Sequence, residues 1–228
     1  MDEALWSSME RERHSLAELL GGLTPQQWEH PSLCARWRVR EVAAHVAMTP
    51  TGTDTGMLVR ALVRSRGNLW SAGAALAIAH ARRPTELIVE ELHRDAASRR
   101  MPRLTNADNL LLDVLVHGQD ICVPLGLERP APTEAAQTSF EHVWRMGWPF
   151  HARRRMRGVR LVATDARVCV GEGPVVAGRL ADLLLLVTGR TAAALARLDG
   201  EGTAVIAARG DAVSTVPPSP AAGSRGAA

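Results

Sequence analysis

The chain has 228 residues, 46% of them hydrophobic and 22% charged, with a net charge of +3. This is the composition of a globular protein with room for one substantial core, or for one domain and a small second one. No run of eighteen or more apolar residues is present, which argues against a helical membrane span, and the opening MDEALWSSMERERHSL is charged and amphipathic rather than a secretory leader. Three cysteines (Cys34, Cys122, Cys169) are odd in number and lack CxxC or zinc-ribbon spacing, the pattern of reduced thiols in a cytoplasm. Every basic residue is an arginine, which reads as the mark of a GC-rich genome. The cluster Arg153–Arg157 is short and has no interleaved aromatics, so it reads as a solvated surface rather than a nucleic-acid arm.

In chain order, residues 2–21 predict an amphipathic helix with Leu5, Met9, Leu16, Leu19 and Leu20 at helical spacing, stopped by Gly21 and Gly22. Thr24-Pro25-Gln26-Gln27 has the form of a capping box with proline at the first helical position, which predicts a short turn through Trp28. Pro31 to Trp37 is a loop. A second helix runs over Val39–Met48, with Val42, His45 and Val46 close together on one face. After Pro50, Gly52 and Gly56 an Ala- and Leu-rich third helix is expected over Met57–Arg82, with Gly67 and Gly73 as kink points. Pro84 opens a fourth, with Leu87, Ile88, Glu91 and Leu92 in register.

Thr105 is the expected cap of a central helix within Asn109–Leu127, NLLLDVLVHGQDICVPLGL, which Pro124 and Gly126 end. A further helix follows Pro132, with Phe140, Val143 and Trp144 facing inward, and closes before Pro149. Beyond Arg157 the pattern changes. Val159–Ala163 and Val168–Val170 read as short strands, and GEGPVVAG leads into a helix with Leu180, Leu183, Leu184 and Val187, capped by Gly189. Thr203–Ala208 reads as a last strand, and 211–228, rich in Pro, Ser, Gly and Ala, as a disordered tail. The fold class is mainly α: a four-helix-type bundle over 1–155, then a small α/β unit over 156–210.

The central helix is apolar almost all the way round, yet Asp113, His117 and Asp120 share one of its faces, four and three residues apart. Burying such groups costs several kcal/mol, of the order of 2–7 even for an unpaired neutral polar group. Either a metal ion or a hydrogen-bonded Asp–His pair would compensate. With His45 from the second helix, Asp113 and His117 offer two imidazoles and a carboxylate, a set that suits zinc and also iron, nickel or manganese. Three protein ligands leave a coordination position open, the catalytic pattern. Asp120 competes with Asp113 as third ligand, or serves as the partner of the far side of the His117 ring. His14, His80, His93, His142 and His151 read as surface residues, and His30 as a loop residue. Cys122 reads as an inert buried thiol, and Trp28, Trp37, Trp144 and Trp148 as core packing. There is no phosphate loop, serine nucleophile elbow or dinucleotide fingerprint.

The segments LTPQQWEHPSLCARWRVREVAAHV, DVLVHGQDICVPLG and VGEGPVVAG–LLLLVTGR, in that order, resemble the mycothiol-dependent maleylpyruvate isomerase family of DinB-like metal-binding bundles. The resemblance covers nearly the whole chain to about residue 208. It implies a DinB-like bundle, a small α/β domain, and a divalent metal, usually zinc, held by His45, an acid and His117. At the acid position the isomerase has glutamate where this chain has Asp113, one methylene shorter. The resemblance also implies that an arginine of the second domain helps with substrate, here Arg190 of the TGR motif. Mycothiol would serve as the thiolate nucleophile of an isomerase or S-transferase acting on a small electrophile, without nucleic-acid or membrane partners. Two rival readings are a DinB-like module that holds metal or thiol without turnover, and a scaffold bundle in which His45 and His117 are core residues.

Overall fold

A computed structural model describes residues 3–50, 63, 69–101 and 105–209. The first half of the expected third helix, apart from residue 63, and the expected tail 211–228 lie outside the described residues. Eight helices come first: α1 (Glu3–Gly21), α2 (Pro25–Trp28), α3 (Val39–Met48), α4 (Leu69–His80), α5 (Thr85–Arg94), α6 (Ala107–Cys122), α7 (Thr133–Arg145) and α8 (Ala152–Arg155). The strands β1 (Arg160–Ala163), β2 (Cys169–Gly171) and β3 (Val175–Gly178) follow, then α9 (Leu180–Val187), α10 (Thr191–Leu195) and α11 (Gly202–Ala207).

The caps explain where the helices begin. Thr24 and Gln27 form the reciprocal box ahead of α2, with Pro25 at its first position. The Glu41 carboxylate accepts from the Arg38 backbone N–H at 2.8 Å and so closes the start of α3. The central helix is capped by Asn106 rather than Thr105: its Oδ1 accepts from the Asn109 N–H at 2.9 Å.

α1, α3, α5 and α6 form the bundle, with α1 and α3 each packed on both α5 and α6. The apolar run of α6 is buried all round: Leu110, Leu111, Leu112, Val114, Leu115 and Val116 are all inside. α4 lies on α3, and α7 covers α6 with Phe140 and Val143 buried and Trp144 stacked on Phe140. On α5, Ile88, Glu91 and Leu92 are buried while Leu87 is exposed. Three groups differ from the sequence reading. Trp148 is 66% exposed, because it lies beyond the end of α7, where no helix face turns it inward. His80, expected at the surface, is tied at 2.6 Å to the buried Glu91, which also accepts from Arg83. His14, His93 and His142 are likewise half-buried, the first two facing each other across α1 and α5 and the third bonded to Asn109.

The sheet has the order β2-β1-β3, with β1 antiparallel to β2 and parallel to β3. β3 lies inside the segment read as a glycine-rich lead into a helix. Gly171 ends β2 with φ +83°, and a Cβ there would stand 2.4 Å from the Val159 carbonyl oxygen, so only glycine fits the turn. The expected last strand is the helix α11. Thr, Val and Ile mimic strand composition there, yet the buried positions are Gly202 and Ile206, four apart on one helical face. α9 packs on α7 and on both β1 and β3, so one apolar core runs from Trp6 to Ile206. That packing carries the segment after α9, including Arg190, to the end of the bundle where His45 and His117 lie.

Candidate metal centre

α3 and α6 are packed neighbours, and their polar positions meet. Asp113 Oδ2 lies 3.2 Å from His45 Nε2, and Asp113 Oδ1 lies 3.3 Å from His117 Nε2. The two imidazoles meet edge to face, centroids 4.9 Å apart. The side chains of His45 and Asp113 are each 29% exposed and that of His117 is 13%, so the cluster sits inside the bundle but is open on one side. The shorter aspartate reaches both histidines.

These separations bear on two arrangements. A charge-assisted N–H···O⁻ hydrogen bond settles at about 2.7–2.9 Å, shorter than either contact. Ligand atoms at about 2.0–2.1 Å from a tetrahedral zinc stand about 3.3 Å from one another. The observed 3.2 and 3.3 Å, with Asp113 Oδ1 also 3.5 Å from His45 Nε2, keep the three residues in mutual contact and close enough to hold one ion, and the donor set of two imidazole nitrogens and a carboxylate suits a borderline divalent cation.

Behind His117 lies a second layer. Its Nδ1 is 2.8 Å from Asp120 Oδ2. Asp120 is wholly buried and also accepts from Arg190, at 2.9 Å from Nε and 2.6 Å from Nη2, and from the Cys34 thiol at 3.0 Å. A carboxylate with these partners is an acceptor only, so His117 donates from Nδ1 and turns Nε2 toward Asp113 and His45. Arg190 Nη1 donates to the Thr188 carbonyl at 3.0 Å, so the fork of this guanidinium is closed on Asp120.

The electrostatics follow from burial and charge. Burial would raise the Asp113 carboxyl, but the imidazoles of His45 and His117 outweigh it and hold it far below the usual range. Burial would likewise raise Asp120, and Arg190 first, then His117, hold it far below as well. Burial disfavours a charged His117, yet Asp113 and the other neighbours raise its pKa well above the ordinary histidine value. Burial, reinforced by Asp120, pushes the Cys34 thiol up, so it stays an S–H donor.

Residues 9–109 match the mycothiol maleylpyruvate isomerase N-terminal domain family. Over that stretch, which is less than half of the chain, the protein is similar to this domain family. A crystal structure of the mycothiol-dependent maleylpyruvate isomerase shares the fold, with a TM-score of 0.54 and 13% identity over 88% of this chain and 93% of that one. A histidine-to-alanine mutant of that isomerase aligns over the same shares, with a TM-score of 0.53 and 12% identity. No curated protein matches the chain in a sequence search.

The residues read from the sequence as site candidates, His45, Asp113, His117, Asp120 and Arg190, converge in the structure. Two more join them without having been singled out. Cys34 arrives from the loop between α2 and α3, and Trp37 of the same loop packs on His45 at 5.6 Å between centroids. A cysteine alone in a loop carries no spacing signal, and only the packing of that loop on α6 reveals it. Cys122 is the inert thiol expected: it is fully buried, which pushes its pKa up to about 11. Gly118, next to His117, lets Arg129 pass against α6, where a Cβ would stand 3.2 Å from its guanidinium. Arg129 is in turn fixed by the buried Glu12 of α1 at 2.8 Å.

Proposed function

We propose that this chain is a metal-dependent enzyme that uses mycothiol to act on a small electrophile, as an isomerase or S-transferase of the maleylpyruvate isomerase type. The observation that carries the reading is the convergence of His45, Asp113 and His117 from two helices, with their ligand atoms all within 4.8 Å of one another. These three residues would hold a divalent metal, with zinc the best match to the donors. When bound, it would supply a lowered thiol pKa, presenting an incoming thiol as thiolate at neutral pH.

The chain's own residues do the rest. Asp120 holds the Nδ1 proton of His117 and so leaves Nε2 as the ring atom that would face a bound metal. Arg190, brought in from the α/β unit over 156–210, neutralises Asp120 and locks its orientation, and so acts on the site through that carboxylate. Trp37 covers one side of His45 and limits water there. In the isomerase form of the reaction, thiolate sulfur adds to one carbon of a cis double bond conjugated to a carbonyl. The new single bond rotates, and sulfur leaves as the double bond re-forms in the trans geometry, with no net gain or loss of atoms. In the transferase form the protonated adduct is released.

Elemental analysis of chelator-free, tag-free protein tests the proposal. We expect close to one divalent metal per chain in the wild type and almost none in His117→Ala. Absence of stoichiometric metal from the wild type after zinc is added back would refute it.

A further inference from the structure

We propose that Cys34 is a positioning residue of the metal centre: by donating its S–H to Asp120 Oδ2 it holds the carboxylate that fixes the ring of His117. The inference rests on the metal-site reading above. Cys34 is 4% exposed, with its sulfur 3.0 Å from Asp120 Oδ2 and 3.6 Å from His117 Nδ1.

The loop that carries it is built to deliver the sulfur to one place. The Leu33 N–H donates to the Asp120 carbonyl at 3.0 Å, which ties the loop to α6 one residue from Cys34. Ser32 Oγ accepts from the Cys34 N–H at 3.1 Å and donates to the Trp37 carbonyl at 2.8 Å, closing the loop on itself. Trp37 at its other end packs on His45. One short segment therefore braces both candidate histidine ligands, His117 through Cys34 and Asp120, His45 through Trp37.

Two other roles for this thiol fit less well. Cys34, His117 and Asp120 lie close enough together to hold a cation of their own. The Arg190 guanidinium, however, already supplies the positive charge there, at 2.6 and 2.9 Å from Asp120 and 3.8 Å from the sulfur, and a divalent ion would be pressed against it. A nucleophile would need a path to substrate, whereas this sulfur is enclosed and engaged as a donor. What remains is its effect on Asp120. Oδ2 accepts from three donors, His117, Arg190 and Cys34. Removing one unbalances the carboxylate and lets it tilt, carrying the His117 ring with it. Loss of a partner behind a metal ligand typically weakens metal affinity about 10–100-fold, and a thiol, being a weak donor, belongs at the lower end.

The test compares Cys34→Val, which keeps the bulk without the donor, with Cys34→Ser, which keeps the donor. Zinc affinity is read by competition with a chromophoric chelator, and site geometry by the visible absorption of the cobalt-substituted protein. We expect about tenfold weaker zinc binding and altered cobalt bands in Cys34→Val. Cys34→Ser should stay within about threefold of the wild type, with its bands retained. A purely packing role predicts the reverse order, because serine leaves a polar group where valine fills the space. That reverse order, or equal affinities in all three proteins, would overturn the inference. If Cys34→Val does not fold, Cys34→Ala is read in the same way. Failure of the wild type to bind zinc would instead refute the metal-site reading itself.

Discussion

Replacing Asp120 by asparagine is the sharpest test of how the two parts of the chain are joined at the site. The substitution keeps the shape of the side chain but removes its charge and turns one acceptor into an NH₂ group that faces donors. Arg190, 12% exposed in its side chain, is then left with one of its two donors to this side chain facing an NH₂ group, and with its charge unpaired in a nearly dry environment. Removing one member of a buried ion pair costs about 3–5 kcal/mol, a large share of the roughly 5–15 kcal/mol that holds a domain folded. For a chain of this size 1 kcal/mol moves Tm by about 2–4 °C, so Asp120→Asn should melt about 6–20 °C below the wild type. The assay is thermal denaturation of metal-free protein followed by circular dichroism, with urea titration for the free energies. Arg190→Gln in the Asp120→Asn background should cost at least about 1.5 kcal/mol less than it does alone, because the pair is then removed rather than broken. A Tm loss below about 2 °C, or strictly additive losses in the double variant, would refute the assignment of Asp120 and Arg190 as a coupled buried pair.

Two further predictions concern the scaffold. Burial would raise the Glu91 carboxyl, but His80 and Arg83 outweigh it and lower its pKa, so its contribution to stability is present above the ordinary glutamate range and lost as pH falls through the folded value. Glu91→Gln should therefore cost about 1–3 kcal/mol at pH 7, and the gap to the wild type should close as melts are taken toward pH 3; a gap independent of pH would count against the pairing. Gly171→Ala forces a left-handed residue against the Val159 carbonyl and should cost more than about 1–2 kcal/mol. Hydrogen exchange should show β1 and β2, which pair at Gly171, losing protection first, and an alanine variant as stable as the wild type would contradict the turn geometry.

Much of the candidate site was legible in the sequence because helical periodicity is local. The four- and three-residue steps from Asp113 to His117 to Asp120 put those groups on one face before any packing is known, and the apolar run around them marks α6 as central. His45 was legible for the same reason, as the polar member of an otherwise apolar face of α3. The capping box at Thr24 and the end of α1 at Gly21 are equally local, set by which backbone groups a neighbouring side chain can reach. The last helix was not legible. Thr203, Val205 and Ile206 carry strand propensity, which depends on context, and the contact of Gly202 and Ile206 with the rest of the small unit overrides it.

What the sequence by itself determined was thus the set of chemical groups and the helix faces that present them. What only the tertiary structure decided was which of those groups share a partner. Asp113 had Asp120 as a rival for the open side of His117, and their order of contact depends on the rotation of α6 against α3. Cys34 and Arg190 lie 156 positions apart in the chain and meet on one carboxylate only because the α2–α3 loop is bonded to α6 and α9 packs on α7. Local sequence sets which way a side chain leaves its own element, but the distance between two elements is fixed by the core that packs between them.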